Sequence, residues 1–157
     1  MAIVDAQSVK NTDTATQKGY DAGKKISGIK RHIAVDTNGL LHGVEITTAN
    51  VTDRDGAVML AKNSRENLSS VKNMLVDGGY SGEKFEKKIK RILHATVEVV
   101  KRNELHTFKV LPKRWVVERT FAWLEKCRRL WKNCERKLST SRSMVMLAFI
   151  ALLLRRL

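Results

Sequence analysis

The sequence predicts a single α/β domain in which helices flank a mixed sheet, and three observations carry that expectation. Two β-rich runs, Ile29 to Asp36 and Leu40 to Thr47, are joined by Thr37-Asn38-Gly39, and the Asn-Gly pair specifies an antiparallel hairpin. After them, apolar runs of strand length alternate with stretches of helical periodicity, the arrangement that places helices on the faces of a sheet. A length of 157 residues suits one domain with a proper core, and 43% hydrophobic residues with a single proline exclude a disordered chain.

In chain order, Ala2 to Val9 reads as a strand with Asp5 in its middle. If Ile3, Asp5 and Gln7 share one face, Asp5 is partly buried and needs an ion pair, a hydrogen bond or a cation; on an edge strand it would stand in water. Both readings are open. Lys10 to Gly28 is polar and reads as a loop or irregular hairpin; Lys18, Lys24 and Lys25 within it, and Lys30 and Arg31 just after it, form either a solvated basic face or phosphate contacts. Asp36 suits the hairpin turn. Asp53 or Asp55 starts a helix running to about Asn67, as its cap or alternatively as a metal ligand.

The stretch Met74 to Gly82 organises the second half. Leu75 and Val76 end a buried strand, Asp77 follows, Gly78 and Gly79 permit a tight turn, and Ser81 would cap a basic amphipathic helix from about Gly82 to Leu93. A strand-terminal Asp in an α/β sheet faces the crevice where ligands bind, which suits a metal ligand; an Asp also starts turns through its own side chain. Ala95 to Val100 alternates like another strand. Pro112 suits the first turn of a long helix continuing to about Leu138, and Ser139 to Ser143 breaks it before a final apolar helix. Val116, Val117, Leu124, Cys127, Leu130, Trp131, Cys134 and Leu138 form the apolar side of the long helix, with Glu118 opposite and Arg114, Glu125 and Arg129 near it. That polar side is either a solvated face, whose Arg–Glu pairs are worth ~0.3 to 0.5 kcal/mol each, or the wall of a cleft facing DNA. Trp115 and Trp123 would stack on an unpaired base or pack into the core.

Charge narrows the partner. Thirty Lys and Arg against 16 Asp and Glu give +14 and a pI near 10.1, a surface that attracts polyanions, nucleic acid foremost. The excess is concentrated: residues 101 to 142 carry 13 Lys or Arg against four Glu, a net +9. Cys127 and Cys134, seven apart on one expected helix, would stand about 10 Å from each other and cannot bridge. No Cys-x-x-Cys pair occurs, and His32, His42, His94 and His106 lack zinc-ligand spacing, so the expectation is a reducing cytoplasm and no structural zinc. The apolar run Met144 to Leu154 is eleven residues long, short of the ~20 a membrane span needs.

The runs IVDAQSVK, GYDAGKKISGIKRHIAVDTNGLL, ANVTDRDGA, VDGGYSG, VKR and LPKRWVVERTFAWLEKCRRL resemble the catalytic part of bacterial insertion-sequence DDE transposases of the insertion-sequence-five (IS-five) family. The resemblance covers nearly the whole chain in the family's order. It implies a ribonuclease-H-like fold with a long C-terminal helical pair. It also implies an Asp-Asp-Glu triad on Asp5, Asp77 and Glu118, with Arg114 on the family's Arg four residues before the Glu. The implied activity is metal-dependent cleavage of DNA at transposon ends and transfer of the 3′-hydroxyl into target DNA. Mg²⁺ or Mn²⁺, two ions, would be held by the three carboxylates, since paired hard cations activate the attacking oxygen and stabilise the leaving one. The partners implied are double-stranded DNA and a second subunit in a synaptic complex, in a bacterial cytoplasm at the nucleoid. Lys24, Lys25, Lys30, Arg31, Lys113, Arg114, Arg119, Lys126, Arg128 and Arg129 are the candidate DNA contacts.

Two positions depart from the family's pattern. Glu125 stands where a basic residue follows the catalytic Glu by seven, and Leu111 where an aromatic precedes the Arg. Only four residues precede Asp5, so residues 1–157 are expected to be one catalytic domain without the N-terminal end-recognition segment. The competing reading is a catalytically inactive transposase fragment acting as a DNA-binding or regulatory protein. A small basic nucleic-acid-binding protein such as a ribosomal component would explain the charge but not the three acidic motifs.

Overall fold

The computed structural model describes residues 1–100 and 113–155; expectations resting on Lys101, Arg102, His106, Leu111 and Pro112 lie outside them. The elements are β1 (Ala2–Lys10), β2 (Gly19–Asp21), β3 (Ile26–Val35), β4 (Leu41–Thr48), α1 (Asp53–Asn63), β5 (Asn73–Asp77), α2 (Glu83–Leu93), β6 (Thr96–Val100), α3 (Arg114–Glu125) and α4 (Leu138–Leu154). Among the described residues six strands form one sheet, in which β3, β1, β5 and β6 are successive neighbours while β2 and β4 pair with β3. β1 runs antiparallel to β3 and parallel to β5, and β5 is parallel to β6, so the sheet is mixed as expected. Asp5 therefore lies on an interior strand and not on an edge.

Strand alternation sorts the apolar side chains into two layers. Ala2, Val4, Met74 and Val76 face α1 and α2, where Leu60, Phe85 and Ile89, with Leu68 from the segment after α1, close one core. Ile3, Ile29, Ile33, Val44 and Leu75 face the other way, against Val116, Val117, Phe121 and Leu124 of α3 and Val145 and Phe149 of α4. Each buried Val, Leu, Ile, Met or Phe side chain among these contributes about 1.5 to 3 kcal/mol through area removed from water. The same period of two puts Asp5 and Gln7 on the α3 face with Ile3.

The hairpin forms where Asn-Gly places it. Asp36 Oδ1 accepts from the amides of Asn38 and Leu40 at 2.8 and 2.9 Å, and Gly39 takes the left-handed backbone at φ 85°. At α1 the cap is Thr52 and neither aspartate: its hydroxyl accepts from Asp55 N at 3.1 Å and donates to the Asp55 carboxylate at 2.7 Å. Asp53 is drawn instead to Lys30 Nζ at 2.9 Å. The helix stops at Asn63, short of Asn67. Ser81 does not cap α2; Gly82 holds that position with no side-chain bond.

The largest correction concerns the expected long helix. α3 ends at Glu125, a short 3₁₀ turn follows at Arg128–Leu130, and α4 begins at Leu138, so Ser139 to Ser143 starts the last helix and does not break one. Tertiary contacts override the local pattern. The Trp131 indole N–H donates to Glu125 O, Arg31 Nη2 donates to Leu130 O at 2.8 Å, and Asn133 bridges in parallel to Asn11, bonding Lys10 O and the Thr12 amide. Cys127 and Cys134 thus lie on connecting segments as free thiols, and Trp131 is two-thirds exposed. Among the described residues no helix is long and apolar enough to cross a membrane.

Candidate active site

Backbone register brings two of the three acids together. The parallel ladder between β1 and β5 ends at Ile3 opposite Leu75, and Asp5 and Asp77 stand two residues further along their strands on the same face. They line one small pocket with Val100, Arg114 and Val117, and Asp77 also borders an open cleft of about 410 Å³ with Gly78, Gly79, Val100 and Arg114. A larger cleft of about 540 Å³ between α1 and α2 contains none of the three acids, so chemistry and not size selects the site. Of the two roles the sequence left open for Asp77, the structure shows the turn. Asp77 Oδ1 accepts from the Gly79 amide at 2.8 Å and forms the turn, which leaves Oδ2 for Arg114 Nη2 at 3.2 Å.

Asp5 is the electrostatically costly member. Burial pushes its carboxyl from 3.8 up to about 6, with the neighbouring charge of Asp77 adding to the rise; the Ala6 amide, bonded to Oδ1 at 2.8 Å, pulls it down, as do Arg114 and Lys24. Glu118 arrives by a different route. One turn beyond Arg114 on α3, it meets Arg114 Nε at 3.6 Å and remains 59% exposed. Arg114 therefore stands between Asp77 and Glu118, and the third carboxylate reaches the site through that guanidinium and not directly. Among the described residues no three His, Cys, Asp or Glu side chains are grouped so as to hold one ion.

Several contacts outside these three carboxylates fix α3 on the sheet. Gln7, two residues from Asp5 on the same face, donates from Nε2 to Glu125 Oε1 at 2.8 Å. At the helix's other side, Arg119 donates to Asn38 O at 2.7 Å with its Cζ 4.6 and 4.7 Å from the ring centroids of Trp115 and Trp123. Thr120 Oγ1 donates to Gly39 O at 3.1 Å, and a Cβ on Gly39 would meet that hydroxyl at 2.8 Å, so the hairpin tip approaches α3 as only glycine allows. Sequence reasoning did not identify Gln7 or assign Glu125 this brace. The one available signal was that Gln7 shares the parity of Asp5.

The basic candidates divide. Lys25, Lys113, Lys126, Arg128 and Arg129 are exposed, Arg129 with its guanidinium on Glu135 Oε1 at 2.7 Å. Lys24 is exposed as a residue, while its Nζ reaches Ala6 O at 3.2 Å beside Asp5. Lys30 and Arg31 are corrected from phosphate contacts to internal struts. Lys30 is buried and binds Val51 O, Asp21 and Asp53; Arg31 is 2% exposed and bonds Leu130 O. Alternation along β3 turns one into each core, where a cation must be satisfied by the protein itself.

The model of the family described as the transposase DDE domain matches residues 1–154. The chain belongs to that family. A relative from Burkholderia cepacia, assigned as the transposase for insertion sequence element IS402, is 32% identical to this DDE domain over 117 residues, 70% of this chain and 55% of the relative. The DDE domain thus spans about half the length of that curated relative. The catalytic core domain of BIV integrase superposes with a TM-score of 0.56 at 14% identity, over 96% of this chain and 80% of that one. A chain of the simian T-cell lymphotropic virus intasome in complex with PP2A regulatory subunit B56 gamma superposes with a TM-score of 0.58 at 15% identity, over 94% and 46%. At such identities the likeness is one of fold, and it places the DDE domain in the ribonuclease-H-like α/β class that the sequence led us to expect.

The donor set of this DDE domain fits a divalent cation. Two carboxylates stand on one face at parting strands, and even with Arg114 beside them one stays raised well above the carboxylate range. Burial is the main cause of that rise, and the carboxylate oxygens are hard donors of the kind Mg²⁺ and Mn²⁺ prefer.

Proposed function

We propose that residues 1–157 are the catalytic domain of a transposase of the insertion-sequence-five group, which cuts DNA at element ends and joins the freed 3′-hydroxyl to target DNA. The observation that carries this reading is the convergence of Asp5 and Asp77 at the end of the β1–β5 ladder, with Arg114 linking them to Glu118. In this reading Asp5 and Asp77 hold Mg²⁺ or Mn²⁺, and Glu118 completes the set when Arg114 turns from the carboxylates to a DNA phosphate, where its planar fork pairs two oxygens. Divalent ions held there, two in number, would supply activation of the attacking oxygen and stabilisation of the leaving one. In the first step water adds to phosphorus and the P–O3′ bond breaks, leaving a 3′-hydroxyl and a 5′-phosphate. In the second that hydroxyl adds to a target phosphorus and a target P–O3′ bond breaks.

Lys24, Lys25, Lys113, Arg119, Lys126, Arg128 and Arg129 supply the electrostatic approach for double-stranded DNA, in a dimeric synaptic complex. The competing reading, an inactive DNA-binding or regulatory fragment, draws on the exposure of Glu118. One experiment separates the two. A pre-cleaved end with a free 3′-hydroxyl is incubated with supercoiled target and Mg²⁺ or Mn²⁺, using the wild-type chain and Asp77→Ala. Joined products that vanish in the variant are the expected result; no joining by either protein, with equal DNA binding, replaces the proposal with the inactive fragment.

A further inference from the structure

The second half of α4 is apolar on both sides, and among the described residues the fold covers only one. Met144, Val145, Ala148, Phe149 and Leu152 pack toward the sheet. Met146, Leu147, Ile150, Leu153 and Leu154 point away and are 43 to 66% exposed, with no charged residue from Ser143 to Leu154. A helix apolar all round is one meant to be covered all round. In a chain of +14, this is a continuous uncharged stripe.

We propose that this face of α4 is where a second copy of the chain docks, α4 against α4 about a two-fold axis. The spacing argues for a like partner. Leu147, Ile150 and Leu154 recur at three and then four residues, the seam along which two helices interlock their side chains, while Met146 and Leu153 flank it on one side. A stripe that is apolar throughout is complementary to itself and offers no charge for selecting a different protein. The area is sufficient: at these exposures the five side chains present roughly 500 Å² per copy, about 1,000 Å² for the pair, the size at which specific interfaces begin. DNA is excluded as the occupant, because the stripe has no cation to meet a phosphate. Two copies joined this way would each keep the Asp5–Asp77 crevice open, since that site lies at the β1–β5 edge of α3. The inference stands independently of the metal reading, as it concerns α4 alone.

Salt response follows from the charge. Two chains of +14 repel, so screening strengthens an apolar contact between them, whereas binding to a polyanion weakens with salt. The test is sedimentation equilibrium of the chain at 1 to ~100 µM in low and high NaCl, for wild type, the double variant Leu147→Glu/Ile150→Glu, and Met59→Glu. Met59 is 46% exposed on α1, across the sheet, and controls for the added charge. The expected result is a wild-type dimer that tightens with salt, at least tenfold weaker association in the double variant, and no loss in Met59→Glu, with all three showing the same circular dichroism. Wild-type monomer throughout the range, open-ended aggregation, or a dimer indifferent to the double substitution would overturn the proposal. So would a wild-type monomer that binds zwitterionic lipid vesicles through the same residues, which would reassign the stripe to a membrane surface.

Discussion

Replacing Asp5 with Asn should make the metal-free protein more stable at neutral pH while removing its activity. Burial and the Asp77 charge raise the Asp5 carboxyl from 3.8 to about 6, so the ionised form is held at a cost of roughly 1.4 kcal/mol for each of about two pH units, about 2 to 3 kcal/mol in all. The direction is set by proton counting. Between pH 4 and 6 the folded state keeps a proton that the unfolded state has released, so stability is greatest below about 4, falls as pH rises to 6, and stays low above it. Asparagine keeps the Ala6 N–H acceptor and removes the charge. The variant should therefore gain about 2 to 3 kcal/mol at pH 8, a gain that shrinks to nothing near pH 4.

Urea denaturation followed by circular dichroism in EDTA, at pH 4, 6 and 8, reads this difference. His32 complicates each curve alone, since burial lowers its imidazole to about 4 and costs stability as pH falls below 6.5; it is common to both proteins and cancels in the comparison. Added Mg²⁺ at ten times its dissociation constant should stabilise wild type by about 1.4 kcal/mol at pH 8 and leave the variant unmoved. A variant less stable than wild type at pH 8, or a difference that does not change with pH, would refute the account of Asp5 as a charge kept for function at the fold's expense.

Arg114→Ala leaves Asp77 without its ion pair and Asp5 with only Lys24 as a neighbouring cation, so it should cost about 1 to 3 kcal/mol in EDTA at pH 8, with a larger Mg²⁺-dependent recovery than wild type shows. Thermal unfolding with and without Mg²⁺ measures this, and an unchanged midpoint in EDTA would mean that Arg114 does not hold the carboxylates. Gly56→Ala places a Cβ 2.0 to 2.4 Å from the ring atoms of His32, which is fully buried and bonded to Thr47 at 2.9 Å. The clash should outweigh the ~1 kcal/mol of helix propensity gained and destabilise by about 1 to 3 kcal/mol, read by urea denaturation; a stabilised variant would show that His32 yields.

What could be read in advance follows a physical division. The strands, the hairpin and the mixed sheet were legible because period-two alternation and Asn-Gly chemistry are local, as Asp36 holding the Asn38 and Leu40 amides shows. The long helix was misjudged because what ends it is remote: Arg31 on β3 takes Leu130 O, and Lys10 at the end of β1 takes Asn133. The same remoteness misassigned Lys30 and Arg31. In sequence they are two more cations beside a basic loop, at the start of an expected strand; in the fold, alternation on that strand, which lies inside the sheet, turns one toward each core.

The candidate site lies across that division. Asp77 is announced locally by a strand end and two glycines, and Asp5 by its improbable place in an apolar strand, yet nothing local says that they share a register. Glu118 is announced by neither, since an Arg–Glu pair four apart looks the same on a solvated face and beside a catalytic crevice. Its distinction is tertiary. Gln7 and Glu125 pin α3 across β1, and the Asn38–Gly39 tip holds it through Arg119 and Thr120, so the helix presents Arg114 to Asp77 and keeps Glu118 one turn away. A site held this way is braced by contacts and poised by charge at once. The two aspartates are set on one face by the backbone register of neighbouring strands, whereas the guanidinium that offsets their charge is on a side chain, the part of the site free to turn away.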